Sequence, residues 1–76
     1  MITVKLYGLL RIESGIREKQ LDARTVKEAL KFLADCGIPP KDLDGCVVLV
    51  NGAVARKQTK LHDGDTVALM SPVAGG

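Results

Sequence analysis

The stretch TVKEALKFLADCG, residues 25–37, decides the fold because its apolar residues follow a helical period. They recur at spacings of three and four, on one helix face: Val26, Ala29, Leu30, Leu33 and Ala34. Thr25 and Glu28 have the spacing of a capping box, which marks the first turn. Pro39-Pro40 forbid continuation, so the helix ends near Cys36. The stretch predicts one amphipathic helix.

Before this helix, the sequence has the pattern of a β-hairpin. Apolar and polar residues alternate from Ile2 to Tyr7, which predicts a strand over residues 1–8 with one buried face. Glu13-Ser14-Gly15 is a turn signal, and residues 16–22 can return as a second strand. Its alternation is poor, so we expect this second strand at an edge of the sheet.

After the helix, three more strands are predicted. Residues 41–45 form a short polar connection to an apolar run, residues 46–50. Asn51-Gly52 is a strong hairpin signal, and residues 53–55 form a short return strand. The last strand covers residues 66–71. The pattern therefore predicts an α+β fold with a four- to five-stranded sheet and one main helix packed on one face.

Length and composition limit the possible functions. The 76 residues, 46% hydrophobic and 26% charged, fit a single globular domain over residues 1–76. A net charge of +2 with scattered basic residues, one Tyr, one Phe and no Trp gives no case for nucleic-acid binding. No apolar run approaches the ~20 residues of a membrane span. We expect a cytoplasmic protein without a membrane or nucleic-acid partner.

The side chains suggest neither a metal site nor a catalytic site. Cys36, Cys46 and His62 are too few for a zinc or iron–sulfur centre. Both cysteines lie among apolar residues, which favours small core-type thiols over a disulfide. His62 lies in the turn with Asp63 and Asp65, where a solvated imidazole and self-bonded carboxylates are the expected arrangement. We therefore expect no catalytic side chains.

One face of the predicted sheet lacks a cover. The run at residues 46–50 has no polar alternation, and Ala68 and Met70 are apolar on the parity opposite to the core residues. Tyr7 falls on the same face, beside Lys5. An apolar patch to which three strands contribute favours a protein–protein interface over scattered exposed residues.

The chain ends in Gly75-Gly76, after a strand that Pro72 stops. We expect residues 72–76 to form a flexible tail, slim enough at its glycines to enter a channel that excludes any Cβ. The alternative is a plain binding module whose terminal glycines are incidental.

Several motifs resemble the MoaD/ThiS family of sulfur carriers. DGDTV at residues 63–67 and SPVAGG at residues 71–76 are similar to the end of that family, and closest to molybdopterin synthase small subunits. MITVKLY at residues 1–7 and VNG at residues 50–52 match in order, so the resemblance spans the chain. It implies a ubiquitin-like β-grasp fold with a mixed sheet.

The resemblance also implies a chemistry. An E1-like partner would adenylate the Gly76 carboxylate with ATP, and a persulfide donor protein would convert it to a thiocarboxylate. The sulfur would then form the dithiolene of molybdopterin, with the carrier docked on the large synthase subunit. The chain itself would bind no cofactor, because the catalytic groups belong to its partners.

The implied roles fall on a small set of residues. Gly76 would carry the sulfur, and Gly75, Ala74 and Val73 would thread the tail. The expected partner-binding residues are Tyr7, Leu49, Met70, Pro72 and Arg56, the last of these against an acidic activating partner.

The sequence departs from the family pattern at two places. Ser71 stands where many members have proline, and the segment Tyr7-Gly8-Leu9-Leu10-Arg11 lacks the usual Phe-Ala step. The hairpin Val54-Ala55-Arg56 is similar to that of thiamine-pathway carriers, which leaves thiamine synthesis as an alternative. A ubiquitin-like modifier conjugated to lysines through Gly76 is a further one, because it uses the same activated carboxylate.

Overall fold

The computed structural model describes residues 1–71, so the tail predicted at residues 72–76 lies outside the described residues. Over residues 1–71 the elements are β1 (Ile2–Tyr7), α1 (Gly8–Ser14), β2 (Glu18–Leu21), α2 (Val26–Asp35), α3 (Pro40–Asp44), β3 (Val47–Val50), β4 (Ala53–Val54) and β5 (Thr66–Met70).

Helix α2 begins and ends as its sequence predicts. The Thr25 hydroxyl accepts a hydrogen bond from the Glu28 N–H at 3.2 Å, and the Glu28 carboxylate accepts one from the Arg24 N–H at 2.8 Å. Both bonds satisfy first-turn or flanking donors that a helix leaves unpaired. At the other end, the Gly37 N–H donates to the Ala34 carbonyl at 3.0 Å. The capped helix is therefore fixed at both ends.

The described strands form one mixed sheet in the order β2-β1-β5-β3-β4. β1 pairs with β2 antiparallel and with β5 parallel, whereas β3 pairs antiparallel with both β5 and β4. The predicted edge position of β2 is confirmed. A central parallel pair flanked by antiparallel strands, with α2 on one face, is the β-grasp arrangement that the resemblance implies.

The core lies between the sheet and α2. Every second residue of β1 and β5 points into it, and α2 contributes the apolar stripe. Among residues 1–71, the largest of the side chains that are almost completely excluded from solvent are Val4, Leu6, Val26, Leu33, Val67 and Leu69. This layer holds the strands in register and so fixes the opposite face of the sheet.

The turn predicted at residues 13–15 is wrong, because residues 8–14 form helix α1. Gly15 ends this helix, with its N–H donating to the Arg11 carbonyl at 2.9 Å. The hairpin pairing itself is confirmed, since Lys5 lies opposite Glu18 and Ile2 opposite Leu21. Only Leu10 of α1 is buried, so the sequence shows no helical stripe there.

The connection predicted at residues 41–45 also contains a helix. Pro40 occupies the start of α3, where its missing N–H costs nothing, and Leu43 is its buried residue. The same Pro39-Pro40 pair that ends α2 therefore begins α3. The sequence shows a single apolar anchor in this segment, which is too little to distinguish a helix from a loop.

Candidate functional site

The sheet face opposite α2, here called the outer face, carries an apolar row at one end. Tyr7 on β1 lies opposite Met70 on β5, and Met70 lies opposite Val47 on β3. These three side chains are 40%, 38% and 43% exposed, respectively. A row of large apolar side chains that remain about two-fifths exposed is suited to burial against a partner.

A second row follows along the same strands. Lys5, Ala68 and Leu49 are neighbours in register, and Val54 on β4 lies beside Leu49. Leu49 and Ala68 are half-buried, whereas Val54 is 80% exposed. The structure thus brings together Tyr7, Leu49 and Met70, three of the side chains expected to bind a partner.

Strand alternation explains why these residues share one face. In each strand the neighbouring residue points the other way, and the row Leu6–Leu69–Val48 lies buried beneath the apolar row. Burial of the inner row fixes the register, because a slip by one residue would move apolar residues from the core to solvent.

Val47 and Val54 belong to the outer face but are not among the residues that the sequence predicts to bind a partner. The available signal is the parity of the run at residues 46–50, in which Val47 and Leu49 share a face. That run contains no polar residue that would distinguish its two faces. Only the pairing of β3 with β5 and β4 shows which of its residues point outward.

The structure places Arg56 away from the apolar row. It lies in the loop after β4, and its N–H donates to the Thr59 hydroxyl at 2.9 Å. The next residue, Lys57, accepts a hydrogen bond from the Lys27 N–H at 2.9 Å through its carbonyl, so this loop is anchored at the start of α2. The described contacts do not join Arg56 to Tyr7 or Met70. Pro72, Val73, Ala74, Gly75 and Gly76 lie outside the described residues.

Basic side chains flank the apolar row on one side. An open groove between α1 and the β1–β2 pair is lined by Lys5, Arg11, Arg17 and Lys19 next to Tyr7. Glu18 is the one acidic residue in its lining. The local field beside Tyr7 is therefore positive, which favours a partner with acidic residues at this border.

The turn with His62, Asp63 and Asp65 is structural, as the sequence predicts. The Asp65 carboxylate accepts hydrogen bonds from the His62 N–H at 2.8 Å and from the Asn51 side-chain amide at 3.0 Å. The His62 hydrogen bond, followed by that from Asn51, holds the pKa of Asp65 below its ordinary value. His62 is 80% exposed. The carboxylate therefore ties the turn to the β3–β4 hairpin.

The two cysteines lie in different surroundings. The Cys46 thiol donates to the Leu43 carbonyl at 2.9 Å, and burial raises its pKa, which disfavours the thiolate. Cys46 packs against the core as predicted, but the same prediction for Cys36 is wrong, since Cys36 is exposed beyond the end of α2. Both thiols are free. Among residues 1–71, no group of His, Cys, Asp and Glu side chains is arranged to hold a metal ion.

Within the described part of the chain, no helix has the length and hydrophobicity needed to cross a membrane. Comparison with curated protein sequences gives no match. Comparison with solved structures gives several matches along nearly the whole chain.

Three solved structures illustrate the similarity. The small archaeal modifier protein SAMP1 of Haloferax volcanii is 30% identical, with a TM-score of 0.82 and coverage of 99% of this chain and 98% of that one. Subunits 1 and 2 of the molybdopterin-converting factor of Helicobacter pylori form a complex that includes a chain 25% identical, with a TM-score of 0.76 and coverage of 99% and 97%. Urm1 of Trypanosoma brucei is 26% identical, with a TM-score of 0.74 and coverage of 99% and 94%.

These similarities and the geometry agree on one fold. The β-grasp sheet, the exposed apolar row and the Gly-Gly end occur together in a chain of 76 residues. The model of the ThiS family matches residues 4–76. Because that match covers almost the entire chain, this protein belongs to the ThiS family of ubiquitin-like sulfur carriers and modifiers.

Proposed function

We propose that this chain is a cytoplasmic sulfur carrier for molybdopterin synthesis, with Gly76 as the residue that carries the sulfur. The observation that supports it best is the position of the apolar row Tyr7–Met70–Val47. Met70 is the last residue of β5, so the row lies where the chain leaves the sheet towards Gly76. A partner that covers the row therefore lies beside the point from which the chain continues towards Gly76.

The first step is activation of an unreactive carboxylate. The Gly76 carboxylate attacks the α-phosphate of ATP on an E1-like enzyme, which gives an acyl adenylate and releases pyrophosphate. The terminal sulfur of a persulfide donor then attacks the acyl carbon, and AMP leaves. The resulting acyl disulfide joins Gly76 to the donor cysteine. A second thiol of the partner proteins attacks the sulfur atom that belongs to that cysteine. A thiocarboxylate remains on Gly76, and a disulfide remains on the partners.

The second step is delivery of the sulfur. The thiocarboxylate sulfur is a soft nucleophile that attacks a carbon of a pterin held by the large synthase subunit and displaces an oxygen leaving group from it. Water then cleaves the resulting thioester, which leaves the sulfur on the pterin and restores the Gly76 carboxylate. Two such cycles complete one dithiolene. The carrier contributes a docking face and a reactive end, whereas acids and bases come from the partners.

The direct test is intact-mass spectrometry of the untagged protein purified from its native host. Replacement of one terminal oxygen by sulfur adds about 16 mass units, nearly the same as oxidation of Cys or Met, so the shift must be localised to the carboxy-terminal peptide. Deletion of Gly76 is the matched control. A shift on Gly76 supports the carrier, and its absence from the active native pool contradicts it.

The pathway needs a separate test. The thiocarboxylated protein is mixed either with the large subunit of the host molybdopterin synthase and its pterin precursor or with the host thiazole synthase and its substrates. We expect dithiolene product in the first mixture. The similarity to the molybdopterin-converting factor complex favours this pathway, and sulfur transfer only to the thiazole would establish the thiamine pathway instead.

Conjugation through Gly76 is the second candidate function. The similarity to a small archaeal modifier protein favours it, since that chain is 30% identical over nearly its full length. Its signature would be branched Gly-Gly remnants on lysines of other host proteins. If such remnants are found and no thiocarboxylate is, the protein is a modifier rather than a sulfur carrier. If function is intact after removal of Gly75 and Gly76, the result would support a plain binding module.

A further inference from the structure

Ser71, the last residue that the structure describes, uses its side chain to hold helix α1. Its hydroxyl oxygen accepts a hydrogen bond from the Leu10 N–H at 3.1 Å. The residue that precedes α1, Tyr7, provides no side-chain cap. Because the first N–H groups of a helix have no partner within it, the Ser71 hydroxyl satisfies a donor that α1 itself leaves open.

Gly8 makes room for this contact. Its φ is +62°, and a Cβ at this position would lie 3.1 Å from the Ser71 hydroxyl oxygen. That distance is tighter than ordinary van der Waals contact, and the backbone conformation is one that residues with a side chain rarely adopt. The chain therefore closes α1 onto Ser71 at a point where residue 8 carries no side chain.

The contact lies where sheet pairing stops. The parallel β1–β5 register ends at Tyr7 and Met70, so Ser71 is the first residue beyond the ladder. At that point the chain is held by the Leu10–Ser71 hydrogen bond, which joins residues 61 positions apart in the sequence. The chain is thus held in place up to Ser71, one residue beyond the last residue that the sheet pairs.

We propose that Ser71 is a positioning residue for the activation of Gly76. The inference rests on the proposed function, in which an activating enzyme captures the end of the chain. Its hydroxyl bond to Leu10 fixes the backbone from which residues 72–76 continue. Capture of the end of the chain then need not fix residue 71, and an interaction that is organised beforehand lowers the cost of binding.

The test compares four full-length proteins: wild type, Ser71→Ala, Ser71→Thr and Ser71→Val. Thr and Val have nearly the same shape, but only Thr keeps the hydroxyl. The assay is ATP–pyrophosphate exchange catalysed by the host's E1-like enzyme, with deletion of Gly76 as the blank. We expect Ser71→Ala and Ser71→Val to lower kcat/KM by about five- to tenfold, because one more residue must be ordered on capture. The loss should appear in KM, and Ser71→Thr should retain the wild-type value.

A second measurement reports the hydrogen bond directly. Amide hydrogen exchange at Leu10 should be about tenfold faster in Ser71→Ala and Ser71→Val than in wild type or Ser71→Thr. Thermal unfolding of all four proteins checks that the sheet remains folded. A general loss of structure would lower kcat/KM in Ser71→Thr and Ser71→Val alike. Equal losses in this matched pair would contradict the positioning role.

The outcomes separate the two proposals. If wild type supports Gly76-dependent exchange and all four proteins share one kcat/KM, the positioning role of Ser71 is overturned and the proposed function stands. If wild type supports no such exchange, both proposals fall. Faster Leu10 exchange with unchanged KM would also overturn positioning, since the bond would then matter to α1 alone.

Discussion

Met70 lies at the centre of the apolar row, between Tyr7 on one side and Val47 on the other. An aspartate at this position would place a charge in the middle of any interface that covers the row. We expect Met70→Asp to weaken binding to the large synthase subunit by about 30-fold or more, since a hot-spot residue contributes about 2 kcal/mol or more. Isothermal titration calorimetry measures the affinity.

The matched control for this change is Ile12→Asp. Ile12 is 74% exposed and lies on α1, outside the outer face. It should leave the affinity within about twofold of wild type, and neither variant should change the thermal midpoint appreciably, because both side chains face solvent. Equal binding by Met70→Asp and wild type would show that the partner docks elsewhere.

Asp65 predicts how the fold responds to acid. Hydrogen bonds from His62 and Asn51 lower the pKa of this carboxyl in the folded protein. The stabilisation is therefore complete above the ordinary aspartate value of about 3.9 and is lost as the pH falls through the lowered folded value. We expect Asp65→Asn to lose less stability than wild type between neutral pH and about pH 3, measured by urea unfolding. Asp35→Asn, at the exposed end of α2, is the control, and parallel acid curves for Asp65→Asn and wild type would refute the assignment.

Single residues also explain which parts of the site the sequence reveals. Tyr7 and Met70 follow from strand parity, because their neighbours in sequence belong to the core, whereas Leu49 is expected only from the family resemblance. Val47 has the same parity as Leu49, but an unbroken apolar run hides it. The contact of Ser71 with Gly8 and Leu10 joins two distant segments, and such a contact has no signature in either segment.

At the scale of elements, predictability depends on how many side chains an element buries. Helix α2 buries four residues in a regular stripe and is predicted almost to its ends. Helices α1 and α3 bury one residue each, Leu10 and Leu43, so neither produces a period. The parallel pairing of β1 with β5 joins the two ends of the domain, and local periodicity carries no information about it. The resemblance supplied that part.

The cap of α2 gives a prediction for this element. Thr25→Ala removes the acceptor for the Glu28 N–H and should lower the free energy of unfolding by about 1 kcal/mol. Thr25→Ser keeps the hydroxyl and should lose at most a small part of that. Equilibrium urea unfolding measures both. Equal losses in the two variants would mean that the threonine methyl group, rather than the hydroxyl, stabilises the helix start.

For the whole molecule, a single core residue accounts for a large part of the free energy of unfolding. A domain of 76 residues has a free energy of unfolding of about 4 to 11 kcal/mol. Leu33 is fully buried in the centre of the core, and Leu33→Ala should remove about 2 to 5 kcal/mol. Leu9, which is 48% exposed, provides the control: Leu9→Ala should lower the free energy of unfolding far less. Guanidinium unfolding curves compare them, and similar losses would contradict the core assignment.

The parallel pairing of β1 and β5 has a practical consequence for experiments on this carrier. Both strands run in the same direction, so β1 starts at the end of the sheet opposite to the one where β5 finishes. The six residues of β1 separate those ends by about 20 Å. A fluorophore or a surface tether attached ahead of Ile2 would therefore stand clear of the apolar row. Immobilisation through that end should leave the carrier free to be loaded, docked and unloaded on a sensor surface.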